Sequence, residues 1–364
     1  MTKIYQCRTV ICSAFIGMML LASGCEEAVE MSFPGESWDQ YDSPEAAGFD
    51  GEILNQVREY SEDLDTKVMM IVHNGKIVDY WGDKTENHRM HSIRKSLLTG
   101  LYGIQVGLGN IDLDATMNDL DIDDREGLSD QERQATVRHL LQARSGIYHP
   151  ALFETSGMAA ARPDRHSYAP GENYYYNNWD FNALGTIYEQ ESGEKIHESF
   201  EERIARPIGM QDFTADDGRY VTGDESRHAA YPFEMTARDL ARYGLLYLNE
   251  GNWDGEQLLP EGWVAESLDI YSSFHTDPDN DRMKTRGGYG YMWWVAVDGQ
   301  HFDGIEGVPD GTYTARGARG HVLAVVPEHD LILVHRVNTH ESGNRVPYPE
   351  VGKMLMDIIG AMET

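Results

Sequence analysis

Ser92-Ile93-Arg94-Lys95 places a hydroxyl and an amine three residues apart. On a helix, positions i and i+3 share a face, so the amine can touch the hydroxyl. A serine hydroxyl is a poor nucleophile until a base takes its proton. A lysine is such a base only when burial or a second cation lowers its pKa. A serine at a helix N-terminus also offers backbone N–H groups and the positive end of the dipole to a developing oxyanion. The chemistry this points to is acyl transfer from an ester or amide.

A second Ser-x-x-Lys, Ser192-Gly193-Glu194-Lys195, lies in a polar glycine-containing turn and reads as inert. Ser92 instead opens a stretch with helical apolar spacing at Ile93, Leu97, Leu101, Ile104 and Leu108. His91, adjacent to the serine in sequence, points elsewhere on a helix and is not a triad base. The chain has no His-Glu-x-x-His, no Gly-x-Ser-x-Gly and no Walker loop. Those absences count against a zinc peptidase, an α/β-hydrolase and a nucleotide enzyme.

The elements that must carry this motif are legible in outline. Residues 50–64 have helical spacing, and two apolar runs flank Asn74-Gly75, a strong hairpin signal. Residues 92–109 read as helix, and about 112–250 as helical segments joined by Gly, Pro and Asp loops. Strand character returns at 289–297, 313–315, 322–326 and 331–337, and a last helix is expected over 348–362. This order predicts an α+β fold: an antiparallel sheet flanked by terminal helices, with an inserted helical lobe. Asp-rich stretches at 119–124 and 277–281 lack the glycine of a calcium loop and read as solvated loops.

Ser92-x-x-Lys95-Ser96, followed by Gly109-Asn110-Ile111-Asp112-Leu113-Asp114, resembles the class C β-lactamases and penicillin-binding proteins. Their relatives include DD-peptidases, β-lactamase-like esterases and 6-aminohexanoate-dimer hydrolases. Further pieces follow in family order: Thr136 to Ile147, Pro170-Gly171 leading to Tyr176-Asn177-Asn178, Met235 to Gly244, Gly288 to Trp294, and Gly317 to Glu328. The resemblance spans about residues 46–360. It implies that Tyr176 relays protons, and a phenol beside a lysine ammonium is expected to have a lowered pKa. It implies that the Asn178 amide holds Lys95 and a substrate carbonyl. Tyr247-Leu248-Asn249 fits the same pattern and reads as a helix end. The family's Lys-Thr-Gly is replaced by Ala315-Arg316-Gly317. The resemblance implies an oxyanion hole from the N–H groups of Ser92 and Ala318, and a flat backbone at Gly317. Arg316 or Arg319 substitutes for the missing lysine toward a carboxylate, or each is a surface charge. His321 is a further candidate for substrate binding. Tyr174, Tyr175, Trp179, Trp293 and Trp294 line an acyl pocket or belong to the core. No cofactor or metal is implied.

Residues 1–25 carry Lys3 and Arg8, an apolar run and Ala22-Ser23-Gly24-Cys25, the pattern of a secretory signal. The last four resemble a bacterial lipobox, which implies acylation of Cys25 and attachment to the membrane, with the outer membrane facing the periplasm as the expected location. Residues 26–45 read as an acidic tether and 46–364 as the hydrolase domain. All three cysteines lie in the first 25 residues, which excludes a disulfide or a cysteine nucleophile from the body. The net charge of −31 repels nucleic acid and is read as solubility in a salty medium. The expected substrate is a small ester, amide or peptide. Two alternatives stand: a DD-peptidase or β-lactamase, and a non-catalytic peptidoglycan-binding lipoprotein.

Overall fold

Asn74 and Gly75 both take left-handed backbone angles, φ 49° and 76°, as a two-residue hairpin turn demands. They join β1 (Thr66–His73) to β2 (Lys76–Trp81). The structure, a computed structural model, describes residues 31–278, 280 and 283–362. The expected signal segment, its cysteines and the first five tether residues lie outside these.

The other strands are β3 (His88–Arg89), β4 (Glu234–Met235), β5 (Asn252–Trp253), β6 (Glu256–Gln257), β7 (Ser272–Ser273), β8 (Gly288–Tyr289), β9 (Trp294–Val295), β10 (Tyr313–Gly317), β11 (His321–Val326) and β12 (Leu331–Val337). Among the described residues, eight strands pair antiparallel in the order β2-β1-β12-β11-β10-β9-β8-β7. The first strand thus sits beside the last. Side chains alternate across a strand, and here both faces are covered. Val68, Met70 and Val72 of β1 face one core, with Leu323, Val325, Ile332 and Val334. Met69 and Ile71 face the other, with Val322, Ala324, Leu331 and Leu333. That is why these strands read as unbroken apolar runs. Each such side chain, fully buried, contributes roughly 1.5–3 kcal/mol.

The helices are α1 (Gly51–Glu62), α2 (Ile93–Gly107), α3 (Val137–Leu141), α4 (Ser156–Ala160), α5 (Asn178–Ser192), α6 (Ile196–Phe200), α7 (Ala237–Leu248), α8 (Trp263–Leu268) and α9 (Tyr348–Gly360). The terminal helices α1 and α9 cover the second face, and the Asp50 N–H donates to Ala361 O at 2.9 Å. The Asp50 carboxylate caps α1 by accepting from Glu52 N and Ile53 N. Helices α2, α5 and α7 pack on the first face. The antiparallel sheet, terminal helices and helical insert match the expectation.

Four expectations differ in detail. The single strand over 289–297 is instead β8 and β9 folded back on each other, with Gly290 N bonded to Trp293 O and Met292 at φ 59°. A Cβ on Gly290 would meet Ser267 O at 2.2 Å, so close backbone approach fixes the turn there. Residues 31–45 do not trail as a tether. Phe33 packs edge-on against Trp253, and Pro34 O and Gly35 O accept from buried Arg242. Asp124 is no solvated loop residue: it is 2% exposed and accepts from Trp179 Nε1 and Ser226 Oγ. Asp277 likewise pairs with Arg144 at 3.0 Å.

Candidate active site

Helix α2 holds Ser92 in place because it is buried on nearly every side. Ile93, Leu97 and Leu101 face the core, and glycines admit neighbours on other flanks. A Cβ at Gly103 would meet the Trp263 ring at 2.4 Å, and one at Gly100 the Tyr243 hydroxyl at 2.8 Å. Ser92 is the N-cap of α2 (φ −78°, ψ −9°), at the positive end of the helix dipole. Lys95, one turn on, is 2% exposed. Its Nζ lies 3.0 Å from Ser92 Oγ and 2.6 Å from Tyr176 Oη.

Two ring faces lie under the amine, Tyr176 at 4.2 Å and Phe181 at 4.3 Å. Ring faces favour an ammonium by about 0.5–2 kcal/mol each. Burying a charge costs several kcal/mol per ion, and no carboxylate offsets it here. Burial therefore wins, and the nearby Arg94 cation adds to it, so the Lys95 pKa lies well below an ordinary lysine's. Arg94 is itself buried, held by Asn182 Oδ1 at 2.7 Å and the face of Tyr231. The signal for its role was its place inside the motif.

Tyr176 departs from expectation. Burial raises its pKa above the ordinary phenol value, although a hydrogen bond with Ser92 opposes the shift. The lowering expected from a cationic neighbour is outweighed by burial of the phenol itself. Asn178 also departs. It is the first residue of α5, which Asn177 caps. The Asn178 Nδ2 donates to Phe153 O at 2.7 Å, and its buried Oδ1 has no hydrogen-bond partner among the described residues, so its amide does not hold Lys95.

Ser92, Tyr176 and Ala318 open on a cavity of about 870 Å³. Tyr174, Tyr175 and Trp294 line it, as does Tyr348, which the sequence did not single out. Trp179 and Trp293 are fully buried core residues. Arg316 also lines the cavity. It is held by Thr314 Oγ1 at 2.8 Å and His301 O at 2.7 Å, between the faces of Trp294, Phe302 and Tyr348. Burial pushes its pKa down to about 10. Asp303, whose charge it feels, pairs instead with Arg286 at 2.7 Å. Arg319 is an exposed surface charge bonded to Glu341 O.

Gly317 and His321 are not cavity walls. They pair across the β10–β11 hairpin, and side chains alternate, so when Arg316 faces the cavity its neighbour faces away. Glycine is required at 317 because a Cβ would meet Met90 O at 2.6 Å. That close approach brings β10 against the start of α2. His321 is fully buried and bonded to Thr339 Oγ1. The second Ser-x-x-Lys is spent on structure: Ser192 Oγ donates to Tyr188 O, and Lys195 pairs with Glu189.

Comparison with known proteins agrees with this fold. A protein of unassigned role from Alkalihalophilus pseudofirmus is 24% identical over 335 residues, 81% of this chain and 90% of its own. A solved β-lactamase/D-alanine carboxypeptidase from Pseudomonas syringae superposes with TM-score 0.62 at 15% identity, covering 85% of this chain and 97% of that one. An octameric penicillin-binding protein homologue from Pyrococcus abyssi gives 0.60 at 20% identity, over 85% and 77% of the two chains. At such identities the likeness is one of fold. A sequence model of the Beta-lactamase family matches residues 55–350. The chain belongs to the β-lactamase family.

Proposed function

We propose that the protein is a serine hydrolase that cleaves an ester or amide through an acyl-enzyme on Ser92. The observation that carries this reading is Lys95 Nζ, 3.0 Å from Ser92 Oγ, in a buried setting that lowers the amine's pKa. Lys95 accepts the hydroxyl proton as Oγ bonds to the carbonyl carbon. The oxyanion is met by the N–H groups of Ser92 and Ala318. As the tetrahedral intermediate collapses, Tyr176 gives a proton to the leaving group and regains one from Lys95. Water then adds to the acyl carbon by the same relay, and the acid departs.

The test is intact-mass spectrometry of the body (residues 26–364) after a fluorophosphonate, a short p-nitrophenyl ester and a penicillin, each separately. A single fluorophosphonate adduct on Ser92, lost in Ser92→Ala, with ester turnover, supports the reading. Absence of any adduct would favour the non-catalytic lipoprotein. Arg316 favours one alternative, a DD-peptidase or β-lactamase, because a guanidinium lining the cavity without a paired carboxylate suits a substrate carboxylate. Penicillin hydrolysis or D-alanine release from a D-Ala-D-Ala peptide would move the assignment there. Export and a lipid on Cys25 belong to the same proposal. Detergent-phase partitioning that Cys25→Ala abolishes is the expected result.

A further inference from the structure

We infer that Thr339 is a positioning residue whose hydroxyl ties together the two backbone segments of the oxyanion hole. This rests on the acyl-enzyme reading above. The two N–H groups come from distant parts of the chain, Ser92 at the start of α2 and Ala318 at the end of β10. Each adjoins a strained turn. His91, immediately before Ser92, sits at φ 48°, and Arg319, immediately after Ala318, at φ 69°. Bulky residues hold left-handed angles only where the surroundings over-determine them.

The Thr339 hydroxyl is a restraint that both turns share. Thr339 follows β12, is 5% exposed and does not line the cavity, so it acts on substrate only through its neighbours. His91 Nε2 lies 2.8 Å from its Oγ1 and His321 Nε2 lies 3.3 Å from the same atom. The two imidazoles sit 5.2 Å apart between ring centres. A hydroxyl has one proton, so it donates to one imidazole and accepts an N–H from the other. Burial holds both histidines neutral, so the accepting imidazole has an unprotonated Nε2. The bridge therefore links residue 91, next to the nucleophile, with residue 321, three beyond Ala318. Between them, Gly317 leaves room for β10 to rest on Met90 O. Without the bridge, the two N–H groups lose their common reference.

Misplacing a catalytic group by about 1 Å costs as much as 10²-fold in rate. Thr339→Val keeps the shape and removes the hydroxyl; Thr339→Ser keeps the hydroxyl. We expect Thr339→Val to lower kcat by about 10- to 100-fold. KM for a p-nitrophenyl ester should stay within about threefold, and affinity for an alkylboronic acid, a tetrahedral mimic, should fall with kcat. Thr339→Ser should recover most of both. Normal kcat and boronate affinity in Thr339→Val would overturn the inference, as would equal losses in both variants that track a fall in Tm. If Thr339→Val does not fold, His91→Leu cuts the same bridge from its other end, with the same expected losses and the same overturning result. Turnover that survives Ser92→Ala would instead remove the acyl-enzyme reading itself, so the two failures are distinct.

Discussion

An amine that touches a serine hydroxyl, a phenol and two ring faces has little to solvate a positive charge. This sets the pH behaviour at the scale of single residues. The proposed mechanism needs unprotonated Lys95, so on that mechanism kcat/KM rises as pH rises through the Lys95 pKa. Burial and Arg94 hold that pKa well below an ordinary lysine's, so the acid limb ends well before pH 10. The raised Tyr176 pKa keeps the phenol protonated across the plateau that follows. A pH–rate profile still climbing at pH 10 would contradict this. Lys95→Arg replaces the base with a group that stays protonated, and should cost about 10²–10⁴ in kcat, measured with a p-nitrophenyl ester. The Ser92–Lys95 pair was legible because helical spacing alone brings the two together. Asn178 was not, because its partner Phe153 O lies 25 residues away and only the fold brings it near. His321 misled for a related reason: β-pairing with Gly317 turns it from the cavity.

At the scale of elements, α2 is held by what its glycines admit. Replacing an interior helical glycine by alanine normally gains up to about 1 kcal/mol. At Gly103 the new methyl would meet the Trp263 indole at 2.4 Å. That ring is 3% exposed and donates to Thr99 O at 3.0 Å, so it has little room to retreat. Overpacking of this kind costs about 1–3 kcal/mol, which exceeds the helical gain. Gly103→Ala should therefore lower Tm by several degrees and, by shifting α2, reduce turnover; differential scanning calorimetry and ester hydrolysis check both. The hairpin, α2 and the last three strands could be read from sequence because local pattern and burial agree there. The β8–β9 turn could not, since what breaks the strand is the carbonyl of distant Ser267. The docked residues 31–45 hid behind acidic composition, while Phe33 and Trp38 do the packing.

Across the whole molecule, two electrostatic effects act in opposite directions as pH falls. Burial depresses the pKa of His88 to about 3, and those of His91, His197, His228 and His335 to about 4. In the unfolded chain these groups titrate near 6.5. Between about 6.5 and 4 the unfolded state binds more protons, so their contribution is full above 6.5 and is lost as pH drops towards 4. The net charge of −31 works the other way, because protonating surface carboxylates relieves self-repulsion. Salt separates the two. At about 1 M NaCl repulsion is screened within about 3 Å, whereas buried histidines are unaffected. Tm at pH 7 should rise on adding salt, and the drop in Tm from pH 7 to pH 5 should be larger in high salt than in low. A salt-independent Tm would show that surface repulsion is negligible.

The adjacency of β1 and β12 also governs when the fold can form. Their pairing joins residues 66–73 to 331–337, so the central ladder closes a loop of more than two hundred residues. Contacts of such long range slow folding, and this ladder cannot form until residues 331–337 have been made. A ribosome-bound chain that stops before β12 can pair β1 only with β2, and the other edge of β1 stays open. Synthesis and sheet closure are thus separate events, with an interval between them in which the chain remains extended enough to be threaded or bound by a chaperone. The same closure sets the two covering helices end to start, with Asp50 at the head of α1 donating to Ala361 just past α9.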